Sequence, residues 1–234
     1  MTKQKNSNGY EGKDKIYSSI RTEIISHRLR PGQPISEDEL AKTYGVSRTP
    51  IREILRRLEQ EDLVKIIPNK GIFVYELTNH DIEEVLEIRM ILETAAARTA
   101  AMKIQDTQIK DLNEIESLMK KAIKAKDSVL SFEADEKLHD FILLTAGNMR
   151  VRKILHTLMG QILRIRFISG HKPGRILTTV EEHREIIKAI KQKDPEEAEE
   201  KMRIHLLNTR ELLLPTEEMD SIFQTLLETM RYNY

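Results

Sequence analysis

SEDELAKTYGVSRTPIREILRR, residues 36–57, predicts two short helices joined by a tight turn. Ser36 and Glu39 have the spacing of a capping box, in which each side chain bonds the other's backbone N–H at a helix start. Gly45 follows the first apolar run, where a left-handed residue is needed to end the helix. The stretch is therefore typical of a helix-turn-helix.

The second helix of this stretch has one apolar and one basic face. Ser47 is predicted to cap it, and Pro50 falls in its first turn, where a missing N–H costs nothing. The inward residues recur at helical spacing: Ile51, Leu55 and Leu58. The outward residues are Arg48, Thr49, Arg52, Arg56 and Arg57. Such a helix fits the DNA major groove, where arginine pairs with guanine, although a basic helix face in water is the alternative.

Flanking segments complete a small DNA-binding unit. Residues 16–25 place their isoleucines on one helical face, and residues 63–67 and 72–75 have the pattern of two short strands around a turn at 68–71. Three helices and a hairpin make a winged helix-turn-helix. Asn69 and Lys70 at the tip of the wing are placed to approach phosphate or the minor groove, unless the hairpin is only a structural clasp.

Composition favours a two-domain protein that acts in the cytoplasm. The 234 residues carry no net charge, but residues 1–78 hold 14 basic against 11 acidic side chains and residues 79–234 hold 24 against 27. There is no cysteine, which excludes disulfides and thiolate metal sites. No apolar run approaches the roughly 20 residues of a membrane helix, and the polar start lacks a signal-peptide core. We therefore expect no membrane partner.

The rest of the chain is predicted to be all-helical. A helix starts near Asn79, a plausible cap, and further helices are predicted at 106–126, 128–146, 148–169, 174–192, 195–213 and 216–232. The predicted fold is mainly α, with a winged helix-turn-helix before a helical bundle. The predicted organisation is a disordered arm at 1–12, a DNA-binding domain at 13–78 and a helical domain at 79–234.

Three histidines and one aspartate are candidate metal ligands. Asp135 and His139 are four residues apart on one predicted helix, so both project from one face. His183 and His205 lie on two later helices, and facing helices of a bundle build metal sites in this way. The set suits Zn²⁺, and also Ni²⁺, Mn²⁺ or Fe²⁺, with positions left open for a ligand. Structural histidines without a metal are the alternative.

Arginines near this set have two readings each. Arg89 could pair with Glu93 one turn later or grip the carboxylate of a ligand. Arg164 and Arg166 follow an apolar stretch and could bind an anionic effector or lie in solvent, with Arg166 the weaker candidate.

Nearly the whole chain, residues 13–214, resembles the GntR family of transcription regulators in its FadR subgroup, whose effector domain is called FCD. The first half rests on PGQPISEDELAKTYGVSRTPIREILRRLEQEDLVKIIPNKGIFV, and the second on EVLEIRMILETAAARTAA, DEKLHDFILLTAGN and EEHREIIKAIKQKDPEEAEEKMRIH. The resemblance implies that the bundle is of the FCD type. Three departures are Asp38, where some members are basic, Asp62, where a glycine is usual, and Leu138, where phenylalanine is frequent.

The resemblance implies a role for each candidate residue. Operator contacts fall on Arg48, Thr49 and Arg52, and we add Ser47, Asn69 and Lys70 as neighbours. The metal ligands of the family fall on Asp135, His139, His183 and His205. Arg89 matches the arginine of the first effector-domain helix, Asn148 fills the usual position after a glycine, and Arg164 joins them as an effector-binding candidate.

The predicted function is a dimeric, ligand-responsive regulator that binds a palindromic double-stranded DNA operator. A repressor of a metabolic operon with a small organic acid effector is the main interpretation. A metal-sensing regulator is an alternative, in which the ion itself is the signal. A metal-dependent hydrolase is a further alternative, but neither a general base beside the ligands nor an HExxH spacing is present.

Overall fold

Residues 7–214 are described by the structure, a computed structural model. The helices are α1 (Ser7–Ile25), α2 (Glu37–Tyr44), α3 (Arg48–Gln60), α4 (Asn79–Lys103), α5 (Ile109–Ala125), α6 (Ser128–Ala146), α7 (Met149–Thr157), α8 (Met159–Gly170), α9 (Arg175–Lys191) and α10 (Pro195–Leu213). The strands are β1 (Pro34–Ile35), β2 (Val64–Ile67) and β3 (Gly71–Val74). The predicted helix at 216–232 lies outside the described residues.

Helices α2 and α3 form where the sequence predicts them, with a difference at each cap: among the described residues, the Glu39 side chain does not return the reciprocal bond of a capping box to Ser36. Ser36 accepts a hydrogen bond from the backbone of Glu39, and Gly45 ends α2 with φ of 65°. Ser47 occupies the cap position of α3, but its side chain makes no capping hydrogen bond. One face of α3 is buried against α1 through Ile51, Ile54, Leu55 and Leu58. Hydrophobic burial of that face therefore stabilises α3 more than its cap does.

The wing is a three-stranded antiparallel sheet in the order β1-β3-β2. Ile66 of β2 lies opposite Ile72 of β3, and Ile72 also lies opposite Ile35 of β1. Asn69 adopts φ of 59° in the turn between β2 and β3, a left-handed conformation that asparagine tolerates better than most residues. The hairpin predicted from the sequence is present, and β1 adds a short third strand.

The first helix extends further towards the N-terminus than the sequence predicts. It begins at Ser7, so residues 7–12 of the predicted arm are helical, whereas residues 1–6 lie outside the described part. Two ion pairs fix α1 to α3: Lys13 Nζ lies 2.5 Å from Glu53 Oε2, and Arg57 Nη1 lies 3.1 Å from Asp14 Oδ1. The turns of α1 that pack against α3 nucleate the helix. Adding residues to a helix that has already nucleated costs little free energy, so α1 extends beyond these turns.

The second half is a helical bundle with its own core. Its long helix α4 packs against α6, α9 and α10, and α5 packs against α6 and α9. Leu86, Leu112 and Leu138 are among its fully buried side chains, and they belong to a cluster separate from that of the DNA-binding unit. The mainly helical fold class predicted from the sequence is confirmed. Among the described residues, no helix has the length and apolar character required to cross a membrane.

Two helix ends in the bundle differ from the prediction. Thr78, rather than Asn79, caps α4, and it forms a reciprocal capping box with Asp81. The predicted helix 148–169 is two helices, α7 and α8, which are separated at Leu158. This break brings the start of α8 against the DNA-binding unit, where a Cβ on Gly160 would lie 2.5 Å from the carbonyl oxygen of Glu61.

Candidate functional site: a DNA-reading helix and a histidine cluster

The N-terminal end of α3 presents an exposed basic surface. Arg48, Thr49 and Arg52 are all exposed, on the side opposite the buried residues of the helix. Asn69 and Lys70 are exposed at the tip of the wing. The structure therefore leaves every predicted DNA contact accessible, Ser47 included, and an arginine-rich helix start suits guanine in the major groove.

Acidic residues of α2 hold the two leading arginines of α3. Arg52 Nε lies 2.7 Å from Glu37 Oε2, and Arg48 Nε forms an ion pair with Asp38 Oδ1. The arginine side chains remain 59% and 60% exposed despite these contacts. Both guanidinium groups therefore stay on the surface, oriented by carboxylates of the preceding helix.

The four predicted metal ligands meet inside the helical domain. Asp135 and His139 come from α6, His183 from α9 and His205 from α10. All four are buried, and one ligand atom from each lies within 4.8 Å of the others. Asp135 Oδ1 lies 3.5 Å from His183 Nε2 and 3.9 Å from His139 Nε2. Helix packing thus assembles a compact donor set from positions far apart in the chain.

Hydrogen bonds outside the cluster orient two of its imidazoles. His139 Nδ1 lies 2.5 Å from Glu93 Oε2, and His205 Nδ1 lies 2.7 Å from Glu182 Oε2. The Nε2 atoms of His139 and His183 are buried and have no hydrogen-bond partner among residues 7–214. Buried polar atoms without a partner are costly, whereas Nε2 atoms directed at a shared centre suit a metal ion. The donor set therefore fits a divalent cation.

Electrostatics keep the donors in the form that binds metal. Burial, together with the nearby charge of Arg166, lowers the pKa of His139 to about 4. Burial also lowers the pKa of His183, so both rings are neutral near pH 7. For Asp135, burial raises the pKa, but the interactions with Arg166 and with the three histidines together outweigh this effect and keep the carboxyl ionised. Neutral imidazoles and an ionised carboxylate are the forms that coordinate cations.

A small cavity of about 30 Å³ lies beside the cluster and is rich in arginine. Arg89, Arg166 and Arg175 line it, together with Asp135 and His205. Arg89 Nε donates to Glu93 Oε1 at 2.7 Å, so the intrahelical pair is formed and the guanidinium also lines the cavity.

Sequence reasoning ranked Arg166 low and did not consider Arg175, Glu182 or the contact of Glu93 with His139. Arg166 Nε lies 3.0 Å from Asp135 Oδ2, and Arg175 Nη1 lies 2.6 Å from Glu182 Oε1. The sequence carries no local signal for these contacts, since Glu182 is next to His183 in the chain but bonds His205, 23 positions later.

Two predicted effector contacts lie elsewhere. Asn148 caps α7, where its side chain accepts from the backbone N–H groups of Arg150 and Val151. Arg164 is buried at the junction of the two domains, where it interacts electrostatically with Tyr75, Glu76 and Asp81. Neither residue lines the cavity beside the cluster. Arg164 and Arg166 are two residues apart on α8, so they project in directions about 200° apart. Arg166 is the one that pairs with Asp135 of the cluster.

Comparison with known protein families matches both halves of the chain. Residues 13–74 match the bacterial regulatory proteins of the gntR family, and residues 84–208, more than half of the chain, match the FCD domain. The chain belongs to the GntR family. Its FCD domain fits the FadR-like subgroup.

The relatives of this GntR-family chain are transcriptional regulators, and the similarity covers most of their length. The transcriptional repressor RspR of Escherichia coli is 28% identical over 191 residues, which cover 82% of this chain and 84% of RspR. The gluconate operon repressor of Bacillus licheniformis is 30% identical over 190 residues, which cover 77% of this chain and 76% of the repressor. A GntR regulator of Rhodococcus has the same fold, with a TM-score of 0.73, 20% identity and coverage of 87% and 98%.

These matches decide between the classes of function that the sequence left open. The relatives are transcriptional regulators and not enzymes, which removes the hydrolase alternative. The chain is a transcriptional regulator with a GntR DNA-binding domain and an FCD domain.

Proposed function

We propose that this regulator is a dimeric repressor of a metabolic operon that responds to a small organic acid held at a metal ion in the FCD domain. The observation that carries the proposal is the buried donor set of one aspartate and three histidines beside three arginines. A cation next to guanidinium groups is a site for a carboxylate. In the same molecule, the exposed arginines of α3 would bind the operator.

Asp135, His139, His183 and His205 would hold the ion. Zn²⁺ is the first candidate for three imidazoles and a carboxylate, and Ni²⁺, Mn²⁺ or Fe²⁺ suit the same donors. When bound, the ion supplies open coordination positions for a carboxylate. Glu93 and Glu182 would orient His139 and His205 around it through their Nδ1 atoms.

The arginines beside the cluster favour an anionic effector. Arg89 and Arg175 already pair with Glu93 and Glu182, whereas Arg166 faces Asp135. A cavity of about 30 Å³ has room for about one water molecule. An organic acid that enters this cavity would therefore have to widen it, whereas the cavity of about 570 Å³ that His139 and Arg166 also line already has room for one. Regulation requires that the acid binds one arrangement of the protein more tightly than another, because a ligand shifts an equilibrium only by its differential affinity for two states.

The DNA-binding domain would read one half of a palindromic operator, and a second copy in the dimer would read the other half. Because the operator is chromosomal, we place the protein in the cytoplasm. Arg52→Ala is expected to weaken specific binding by about 1–3 kcal/mol if Arg52 contacts a base. Unchanged operator affinity in a fluorescence anisotropy titration would refute that role.

Capture of fragments of the source genome by zinc-loaded protein at near-physiological salt, followed by sequencing, tests the proposal. Enrichment of a short palindrome beside a metabolic operon is expected, and recovery of unspecific DNA would contradict it. Chelation then separates the two roles of the metal. Loss of operator binding on metal removal favours the metal-sensing alternative, whereas loss of the effector response alone supports a metal within the effector pocket.

A further inference from the structure

The two arginines that lead α3 share one arrangement. Each meets a carboxylate of α2 through its Nε atom: Arg52 meets Glu37 at 2.7 Å, and Arg48 meets Asp38. The paired residues lie 15 positions apart in one case and ten in the other, so the contacts depend on how α2 and α3 cross. The same pairing of Nε with a carboxylate thus occurs at both positions, as a hydrogen bond at Arg52 and as an ion pair at Arg48.

A carboxylate on Nε leaves the other edge of the guanidinium free. Arginine has five N–H donors in a rigid planar fork, and the four on the Nη atoms remain available. Guanine presents O6 and N7 as two acceptors in the major groove, which the free edge can bond together. The carboxylate also limits the rotamers of the arginine before DNA arrives, so less side-chain freedom is lost on binding.

These acids carry an electrostatic cost at a DNA-binding surface. The first turn of α2 holds Glu37, Asp38 and Glu39, and negative charge there repels the phosphates of the operator. Acids in a first turn do stabilise the helix through its dipole. That effect explains three acids but not why Glu37 and Asp38 meet arginines of the next helix. Glu39, in contrast to these two acids, is described through its backbone: its N–H donates to the side chain of Ser36 at the cap of α2.

We propose that Glu37 and Asp38 are positioning residues that determine the DNA specificity of this regulator. They hold Arg52 and Arg48 with the Nη edges free for guanine. They lower the affinity for DNA of any sequence but increase the difference in affinity between the operator and other sequences. The inference rests on the proposed reading of an operator by α3. It assigns guanine to the two base positions that face Arg48 and Arg52.

The test begins with selection of a duplex from a random pool by the unaltered protein. Kd is then measured at one fixed salt concentration for the selected duplex, for the same duplex with each guanine in turn replaced by 7-deazaguanine, and for random-sequence DNA. The variants are Glu37→Gln and Asp38→Asn. Glu39→Gln is the matched control, because it removes the same charge from the same helical turn.

We expect all three variants to bind random DNA more tightly, because each removes a negative charge. For Glu37→Gln and Asp38→Asn, the ratio of selected to random affinity should fall about tenfold, within the range of one bidentate base contact. For the same two variants, replacement of guanine by 7-deazaguanine should reduce the affinity less than it does for the unaltered protein. Glu39→Gln should keep the ratio, and Asp38→Glu, which retains the carboxylate, should restore most of it.

Two results would overturn the inference, and they are distinguishable. If the unaltered protein selects no sequence, the proposed operator reading fails and the inference fails with it. If it selects a sequence but Glu37→Gln and Asp38→Asn raise selected and random affinities equally, only the positioning role fails, and the acids merely repel DNA. Melting temperatures of all variants separate these outcomes from loss of folding, and the two pairs give independent tests.

Discussion

Two carboxylates that are not themselves in the donor set orient the histidine cluster. Glu93 and Glu182 bond the Nδ1 atoms of His139 and His205. The spacing of Asp135 and His139 was readable from the sequence because both lie on one helix face. Glu93 lies 46 positions from His139, so no local pattern connects the two. Contacts of this kind depend on helix packing, which the sequence pattern does not encode directly.

We expect Glu182→Gln to weaken Zn²⁺ binding about 10- to 100-fold, because partners of this kind fix the orientation and basicity of a ligand histidine. Glu182 also holds Arg175 and Asn208, so its loss disturbs the cavity wall as well. Competition with a chromogenic chelator would give the metal Kd of each variant.

Glu181→Gln is the control for this prediction. Its side chain is 67% exposed and pairs with Arg184 on the same helix. It should leave the Zn²⁺ affinity unchanged. If Glu182→Gln lowered the melting temperature without altering the Kd for Zn²⁺, Glu182 would support the fold and not the metal site.

At the scale of elements, helix starts were predicted better than helix interruptions. Ser36 caps α2, and Asp194 before Pro195 caps α10, both as local rules indicate. Thr78 was missed in favour of its neighbour Asn79, although Asp81 three residues later completes the capping-box pattern. The break at Leu158 has no proline nearby, and Gly160 lies two residues later, inside α8. The break follows from packing between the two domains, which cannot be predicted from the local sequence.

The cap of α4 gives a prediction that separates the two neighbours. Thr78→Ala should cost about 1 kcal/mol, as loss of an N-cap usually does, and should lower the melting temperature by about 2–4 °C. Asn79→Ala should have a much smaller effect, because Asn79 lies inside the helix and Thr78 supplies the cap. Equal effects of the two substitutions in thermal unfolding would argue against the capping box.

The same cap predicts a pH dependence. Burial raises the pKa of Asp81, but hydrogen bonds from the hydroxyl and the amide of Thr78 outweigh it, so the net pKa is lowered. A lowered pKa in the folded state stabilises the protein above the unfolded value and ceases to do so as the pH falls through the folded one. The stability difference between the unaltered protein and Asp81→Asn should therefore be constant near neutral pH and shrink below about pH 4. Urea unfolding at several pH values would measure it.

At the scale of the whole molecule, α8 connects the two ends of the proposed function. Arg166 faces the histidine cluster, whereas Gly160 and Gln161 contact the DNA-binding domain. Gln161 Nε2 donates to Asp62 Oδ2 at 2.9 Å, so the residue that replaces the usual glycine before the wing bridges the domains. Its partner could not be predicted because it lies 99 residues away.

Two further features lie at the junction of the two domains, between the histidine cluster and the DNA-binding surface. Burial lowers the pKa of Arg164 to about 10, and within the described part of the chain its Nε and Nη1 atoms have no hydrogen-bond partner. A buried charge without full pairing makes this arrangement of the domains costly, which suits a junction with two states. A cavity of about 570 Å³ also lies here, with Tyr17 and Arg21 of α1 on one side and His139 and Arg166 on the other.

Gly160→Ala tests whether α8 transmits the state of the cluster to the DNA-binding domain. A Cβ at this position would lie 2.5 Å from the carbonyl oxygen of Glu61 and 2.9 Å from Leu63 Cγ, so the domains must move apart. Overpacking of this kind costs about 1–3 kcal/mol. We expect amide hydrogen exchange to accelerate together at residues 61–67 and 159–164.

The Zn²⁺ affinity of the variant should stay unchanged, because the ligands belong to α6, α9 and α10 and not to α8. Gly12→Ala is the control, since a Cβ there has no atom within 4 Å and the helix should gain stability. Faster exchange in both segments with intact metal binding would identify the start of α8 as the mechanical link between the domains. Unaltered exchange at residues 61–67 would mean that the contact does not hold the domains together, and that any signal from the cluster reaches the operator through α4 and its connection to the wing.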